Sequence, residues 1–169
     1  MVDQELDINN ISLFVFDFDG VMTDNKVHVD ASGNESVICS REDGLAIDVL
    51  KKLDKKCLIL SSEKNHVVKA RGKKLGIEVV QGASNKELVL DKIVVSGNFD
   101  YENICYFGND LNDYNAMLNC KVRVCPADSH SEILKIATNK LSSIGGDGVI
   151  REFLEEHLHL DFIKILYTV

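Results

Sequence analysis

The sequence predicts an α/β domain built on an open, mostly parallel sheet with helices on both faces and a small β-hairpin insertion. Three observations predict it. Short apolar runs rich in β-branched residues alternate with stretches of helical spacing from one end of the chain to the other. Polar clusters follow the apolar runs, where open parallel sheets place ligands, beyond the carboxyl ends of strands and near the reversal of strand order. The chain has 169 residues, 45% of them apolar, which suits one domain, 1–169, with a core of ordinary size.

The first strand is SLFVF (12–16). Beyond Asp17 and Asp19, the segment KVHVDASGNESVICS (26–40) has alternating β-branched residues on both sides of Ser32-Gly33-Asn34 and predicts a hairpin. EDGLAIDVLKKL (42–53) predicts a helix with Leu45, Val49, Leu50 and Leu53 on its apolar face. KCLIL (56–60) is the next strand. EKNHVVKARGKKLG (63–76) is the next helix, with Val67, Val68, Ala70, Arg71 and Leu75 on one side, Ser61 or Ser62 in place to cap it, and Gly76 to end it. Strands IEVV (77–80), NICYF (103–107) and KVRVC (121–125) follow, with a helix between Lys86 and Gly108 and a loop at Pro126. The glycines of GGDGVIREFLEEHL (145–158) permit close backbone approach, and His157 and His159 fall at a helix end, where the dipole suits them. The tail LDFIKILYTV (160–169) is too short to span a membrane and too apolar to trail in water, so it docks on its own body or on a partner. The order of elements is Rossmann-like.

A net charge of −8 argues against a nucleic-acid backbone as partner, because such binding needs basic surface, but it leaves room for a small anion held by local cations. The five cysteines are odd in number and form no C-x-x-C pair, so buried reduced thiols are expected rather than a disulfide frame or a zinc site. MVDQELDINNISLF has no basic stretch followed by an apolar one, and no segment approaches a membrane span. A soluble, cytoplasmic protein is expected.

FVFDFDGVMTD (14–24) carries the chemistry. Asp-Gly is a common turn pair, which accounts for Asp19-Gly20 but not for Asp17, one residue before another apolar residue. Side chains in a strand alternate, so Asp17 and Asp19 project to the same side of its tip, where their charges repel unless a cation or a proton offsets them. Taken alone, the pattern leaves both a turn and a metal site open. Three more clusters follow later strands: Ser61-Ser62-Glu63, Gly82 to Lys86, and Gly108-Asn109-Asp110.

In this order the clusters resemble the four motifs of the haloacid dehalogenase superfamily of phosphohydrolases: Asp17-Phe18-Asp19-Gly20 with Thr23, then Ser61, then Lys86, then GNDLND (108–113). The resemblance implies a phosphatase in which Asp17 attacks phosphorus and holds Mg²⁺, since a carboxylate reaches a phosphate only if the charge between them is neutralised. It makes Asp19 the acid that protonates the leaving alcohol and later the base that activates water, with its main-chain carbonyl on the metal. Ser61 would donate a hydrogen bond to the phosphoryl oxygens, and Lys86 would bridge Asp17 and the phosphate. Asn109, Asp110 and Asp113 would complete the metal site; Asn109 stands where many members have aspartate and brings a carbonyl without charge.

The intervals 24–40 and 86–108 have no room for a cap domain, so the chain is similar to the capless sugar-acid phosphatases, whose hairpin helps build a tetramer and whose sites are completed across subunit boundaries. LSSEKNHVVKARGKKLGI and VVQGASNK are close to the nonulosonate group and to the phosphatase-like domain of acylneuraminate cytidylyltransferases. That implies substrate contacts from Thr23, Ser62, Glu63, Arg71 and Lys74, with Arg71 suited to a bidentate grip on the carboxylate of a 2-keto acid. The expectation is a Mg²⁺-dependent phosphomonoesterase acting on a nonulosonic (sialic-type) acid 9-phosphate. Two alternatives stand beside it: the same chemistry on 3-deoxy-manno-octulosonate 8-phosphate, and a weakly active or inactive oligomerisation domain.

Overall fold

The structure is a computed structural model that describes residues 6–168; the expectation for the first five residues, and for the last residue of the tail, lies outside them. In chain order it contains β1 (Leu13–Phe16), a hairpin of β2 (His28–Val29) and β3 (Glu35–Ser36), α1 (Arg41–Lys52), β4 (Lys56–Leu60), α2 (His66–Leu75), β5 (Glu78–Val80) and α3 (Lys86–Gly97). There follow β6 (Ile104–Phe107), α4 (Tyr114–Asn119), β7 (Val122–Cys125), α5 (Ser131–Ile136), β8 (Asn139–Lys140), α6 (Val149–Glu152) running into a π-turn at Phe153–His157, and α7 (Phe162–Tyr167). Six strands form one sheet in the order β5-β4-β1-β6-β7-β8, and every pairing in it is parallel. The chain moves outward from β1 through β4 to β5, then returns to lay β6 on the other edge of β1. The reversal of strand order therefore falls at β1, whose carboxyl end carries Asp17.

Period-two alternation explains the two layers of helices. Phe14 and Phe16 face one side of β1 and pack with Ile59, Phe107, Val49, Leu50, Val68, Ile150 and Phe153, from neighbouring strands and from α1, α2, α6 and the π-turn. Leu13 and Val15 face the other and pack with Leu60, Tyr106, Leu90, Met117 and Ile133, which brings in α3, α4 and α5. Strands buried on both faces need continuous apolar runs, and LFVF and ICYF at the centre of the sheet supply them. Asp17 continues the Val15 face, toward α3 and α4.

Several boundaries differ from the sequence expectation. The second helix begins at His66, three residues later than expected, because the Asn65 side chain accepts from Val67 N and caps it, while Ser61 Oγ accepts from Glu63 N in the preceding turn. Ala70 is exposed, and the buried face of α2 is Val68, Gly72 and Leu75. In α1 the buried apolar residues are Ala46, Ile47, Val49 and Leu50, with Leu45 and Leu53 only half-buried at its flank. The two-residue β8 was not expected; Asn139-Lys140 has no apolar pattern and pairs only at the end of β7. The tail docks on the chain itself, with Phe162 buried in the core and Leu160, Ile165 and Leu166 packed beside it. All five cysteines are free. Among the described residues no helix is long and apolar enough to cross a membrane.

One buried acid ties the last elements to the first helix. Asp43 of α1 accepts from Ile150 N (2.8 Å) and Arg151 N (3.2 Å) through Oδ1 and so caps α6, whose own N-cap residue, Gly148, has no side chain to do so. Its Oδ2 is buried without a partner. Burial pushes the Asp43 carboxyl up to about 6, with the Ile150 and Arg151 N–H groups and the Arg71 charge opposing. The folded chain thus holds this proton more tightly than the unfolded chain, so the carboxyl favours folding most below about pH 4 and that contribution is lost as pH rises through about 6. Asp43→Asn keeps the acceptor and removes the charge. Urea unfolding from pH 4 to 7 should show the wild type losing about 1–3 kcal/mol more than the variant across that range; equal pH slopes would contradict the assignment.

Candidate active site

Three loops at the carboxyl ends of β1, β4 and β6 enclose a cleft of about 420 Å³ lined by Asp17, Asp19, Asn25, Ser61, Ser62, Glu63, Asp110, Leu111 and Asn112. Beneath it lies a buried chain of charges. Lys86, the first residue of α3, donates to Asp17 Oδ1 at 2.5 Å and to Asp113 Oδ1 at 2.7 Å, and all three side chains are nearly or wholly withdrawn from solvent. Asp113 Oδ1 also accepts from the Tyr106 hydroxyl (2.9 Å), and its Oδ2 accepts from Asn109 N (3.0 Å) and Asp110 N (3.4 Å), which folds the 108–113 loop around it.

Two carboxylates and one ammonium leave an excess negative charge. Burial therefore pushes the Asp17 carboxyl up, to about 8, with Asp113 adding to the shift and Lys86 opposing it. Burial opposes the charge on Lys86, but Asp17 and Asp113 more than offset it and hold the ammonium above its ordinary value. Asp19, half-buried at the cleft wall, is raised by burial and then by Glu63, with Lys86 opposing. A carboxyl shifted in that direction holds a proton it can give to a leaving oxygen.

One terminal atom of the Asn109 amide lies 3.0 Å from the Asp19 main-chain oxygen and 3.0 Å from Asp17 Oδ2. As nitrogen it donates to both; as oxygen it completes a set of three oxygens converging on one point, the donor set a hard cation takes. Among the described residues no three His, Cys, Asp or Glu side chains converge in this way, because the set here mixes carboxylate, amide and main-chain carbonyl. Asp110 lines the same cleft and is exposed. The residues present fit a divalent cation. Gly20 makes the arrangement possible: its φ is +89°, and a Cβ there would lie 1.9 Å from the Asn109 amide.

Ser61 is almost fully buried at the cleft floor, with its Oγ accepting from Glu63 N and its proton left for an acceptor in the cleft. Ser62 lines the cleft and accepts from the Asn112 side chain at 3.2 Å. Glu63 lines it too, but its Oε1 is turned onto Lys64 N and Asn65 N.

Four expected residues lie elsewhere. Thr23, expected to touch substrate, is fully buried and orders the loop after β1 by accepting from Gly20 N and Asn25 N, both at 3.2 Å. Asp113 stands under the cleft with both oxygens engaged, so it positions Lys86 and the 108–113 loop rather than facing a cation. Arg71 is turned away and donates to the Ser40 main-chain oxygen at 2.7 Å. Lys74 is exposed on the last turn of α2, outside the cleft lining. Neither basic residue reaches the cleft of its own chain. Sequence reading missed Asn25, Leu111 and Asn112, and it gave Asn112 no role although the residue lies inside GNDLND. The 145–148 glycines press on the loop after β1: a Cβ on Gly145 would lie 2.4 Å from the Gly20 oxygen, and Gly146 N donates to the Val21 oxygen at 3.0 Å.

Residues 45–153 match the haloacid dehalogenase-like hydrolase family. The chain is 31% identical over 144 residues to the 3-deoxy-D-manno-octulosonate 8-phosphate phosphatase of Escherichia coli strain K12, covering 85% of this chain and 77% of that protein. It is similar to the crystal structure of the phosphatase of that name from Yersinia pestis, with a TM-score of 0.84, 29% identity and coverage of 88% of this chain and 80% of the other. A cobalt-bound deoxy-D-mannose-octulosonate 8-phosphate phosphatase from Haemophilus influenzae gives a TM-score of 0.84 at 29% identity over 90% of both chains.

Removing the central ammonium tests the buried charge chain directly. Lys86→Met leaves Asp17 and Asp113 facing each other without compensation, and breaking a buried pair this way costs about 3–5 kcal/mol. Urea unfolding should show that loss near pH 9, where Asp17 is ionised, and a smaller one near pH 5, where its carboxyl, pushed up to about 8, holds a proton; a loss under about 1 kcal/mol at both would contradict it.

Proposed function

The chain belongs to the haloacid dehalogenase-like hydrolase family, and from that premise we propose that this phosphatase removes the terminal phosphate of a sugar acid in a Mg²⁺-dependent reaction through an aspartyl-phosphate on Asp17. The observation that carries the reading is the convergence of Asp17, Asp19 and Asn109 oxygens beside the Asp17–Lys86 pair at the switch point of the sheet. Asp17, the Asp19 carbonyl, Asn109 and Asp110 would hold the cation, and the cobalt-bound form of a similar phosphatase supports a metal requirement. When bound, the cation supplies the positive charge that offsets repulsion between the Asp17 carboxylate and the phosphate dianion.

The chain's own groups account for the rest. An Asp17 oxygen bonds to phosphorus as the bond to the leaving oxygen breaks, and the Asp19 carboxyl delivers its proton to that oxygen. Asp19, now a carboxylate, takes a proton from water as the water oxygen attacks the aspartyl-phosphate, so inorganic phosphate leaves and Asp17 is restored. Lys86 and the Ser61 hydroxyl are placed to steady the phosphoryl oxygens. Asp113 holds Lys86 in register.

For the substrate, 3-deoxy-manno-octulosonate 8-phosphate, the compound named in the relatives, takes first place. The preference for a nonulosonic acid 9-phosphate rested on Glu63, Arg71 and Lys74, of which only Glu63 lines this chain's cleft. It stands as the second reading, and it requires Arg71 and Lys74 to serve the cleft of a neighbouring copy. A homotetramer whose subunits complete each other's sites would supply them. The exposed Val27, Val29 and Ile38 of the hairpin region, beside an open cleft, support such an assembly. The free, mostly buried thiols support a cytoplasmic setting. An inactive assembly domain is disfavoured, because a site without work has no reason to retain so much buried like charge.

Phosphate release from both sugar-acid phosphates and from ordinary sugar phosphates, with Mg²⁺ and with EDTA, tests the reading. Release should require the metal, favour a sugar acid, disappear in Asp17→Asn and fall by about 10²–10⁴ in Asp19→Asn. Silence of the folded wild type across the panel would return the assembly reading. Light scattering should give four times the chain mass; a specific, active monomer would sink the shared-site arrangement.

A further inference from the structure

The phosphate-handling residues occupy the cleft floor; the remaining lining sorts into a group with a different chemistry. Apart from Glu63, whose Oε1 is turned onto its own loop, these residues, Asn25, Ser62, Leu111 and Asn112, carry no charge. Asn25 sits at the end of the loop after β1 in the left-handed region, φ 61°, and its side-chain amide makes no hydrogen bond among the described residues. Asn112 spends one N–H on Ser62 Oγ and keeps its carbonyl oxygen and a second N–H for a ligand. Leu111, more than half exposed between two polar residues, offers an apolar surface at the cleft wall. Among the described residues, no lysine or arginine lines the cleft.

We propose that Asn25 and Asn112, with the Leu111 side chain of the same lining, form a subsite for the hydroxylated carbon chain next to the phosphate, and that Asn112 is its specificity-determining residue. This rests on the phosphatase reading above and deepens it. A polyol chain presents hydroxyls on one side, which are donors and acceptors in equal measure, and C–H groups on the other. Amides match the hydroxyls because each offers both kinds of partner, and leucine matches the C–H face. Without a lysine or arginine among these lining residues a carboxylate finds no ion-pair partner in the subsite, so the chain's own subsite reads hydroxyls and leaves any acid group to residues from outside it. The Asn112–Ser62 bond fixes the amide across two loops, and such pre-organisation lowers the cost of binding.

The test compares 3-deoxy-manno-octulosonate 8-phosphate with phenyl phosphate, which carries no hydroxyls, in the wild type, Asn112→Ala and Asn25→Gly. Glycine accepts the φ of residue 25 without strain, so Asn25→Gly removes the amide and keeps the loop. The ratio of kcat/KM for the sugar-acid phosphate to that for phenyl phosphate should fall roughly fivefold in each variant, chiefly through a higher KM, as expected for one lost neutral hydrogen bond. In the double variant the falls should multiply. A ratio within about twofold of the wild type in both single variants overturns the subsite, as does an equal loss toward both substrates, which would mark the Asn112–Ser62 bond as merely structural. A wild type that hydrolyses phenyl phosphate but shows no change of ratio in the variants removes the subsite alone; a wild type silent toward both removes the phosphatase reading with it.

Discussion

Lys86 sits between Asp17 and Asp113 with all three groups withdrawn from water, and the charges of that trio do not cancel. The three side chains arrive from separate places: the tip of β1, the first residue of α3 and the loop after β6. They meet only because β1 and β6 pair in parallel with Phe16 opposite Phe107, so that Asp17 emerges beside the 108–113 loop. A slip of one residue would turn Asp17 into the apolar layer of Phe16 and Phe18, away from the ammonium. The register of the central strands and the electrostatics of the site are one constraint.

The uncancelled charge then explains the neighbouring detail. Asp113 spends all its accepting capacity on Lys86, Tyr106 and two backbone N–H groups, so the excess is felt at Asp17, whose free oxygen faces the Asn109 amide. Gly20 gives that amide its space, and the glycines before α6 press the same loop from behind. Asp43 reaches from α1 to cap α6, the helix that starts directly after those glycines. A buried acid far from the cleft in sequence therefore helps fix the loop that carries Asp17 and Asp19. Core, cap and cleft share one mechanical path.

Much of this was legible in the sequence, and what was not has identifiable causes. Asp17, Asp19 and Ser61 announced themselves as polar residues just beyond buried apolar runs, Lys86 as a cation in the polar cluster after the next strand, and the structure gathers them where strand order predicts. Thr23 shared a motif with them, but motif spacing does not say which side of a loop a side chain takes, and Thr23 turns inward. Arg71 and Lys74 lie on a basic helix whose position along the sheet follows from where it starts, and Asn65 starts it later than Ser61 would have. Asp113 looked like one more carboxylate of a metal set; only its four donors, two of them from its own loop, reveal it as a support. Asn25 and Asn112 gave no signal, because asparagine is an ordinary turn residue, and only its place in the cleft lining gives it meaning.

The lining of the cleft also dictates how its ligands depend on one another. Asp17, Asp19, Glu63 and Asp110 face the same space, Lys86 lies beneath them already shared between two carboxylates, and the chain as a whole carries a charge of −8. A phosphate dianion approaching such a surface meets repulsion from every side until positive charge enters the site. The cation that Asn109 and the two aspartates fit therefore strengthens phosphate binding, and by linkage phosphate strengthens cation binding by the same factor. Asn109 adds an oxygen without a charge, which leaves one negative charge fewer to repel the phosphate than an aspartate would. The amide thus trades some hold on the free cation for a cleft that repels the phosphate less. Retention of the ion then falls more heavily on the substrate itself.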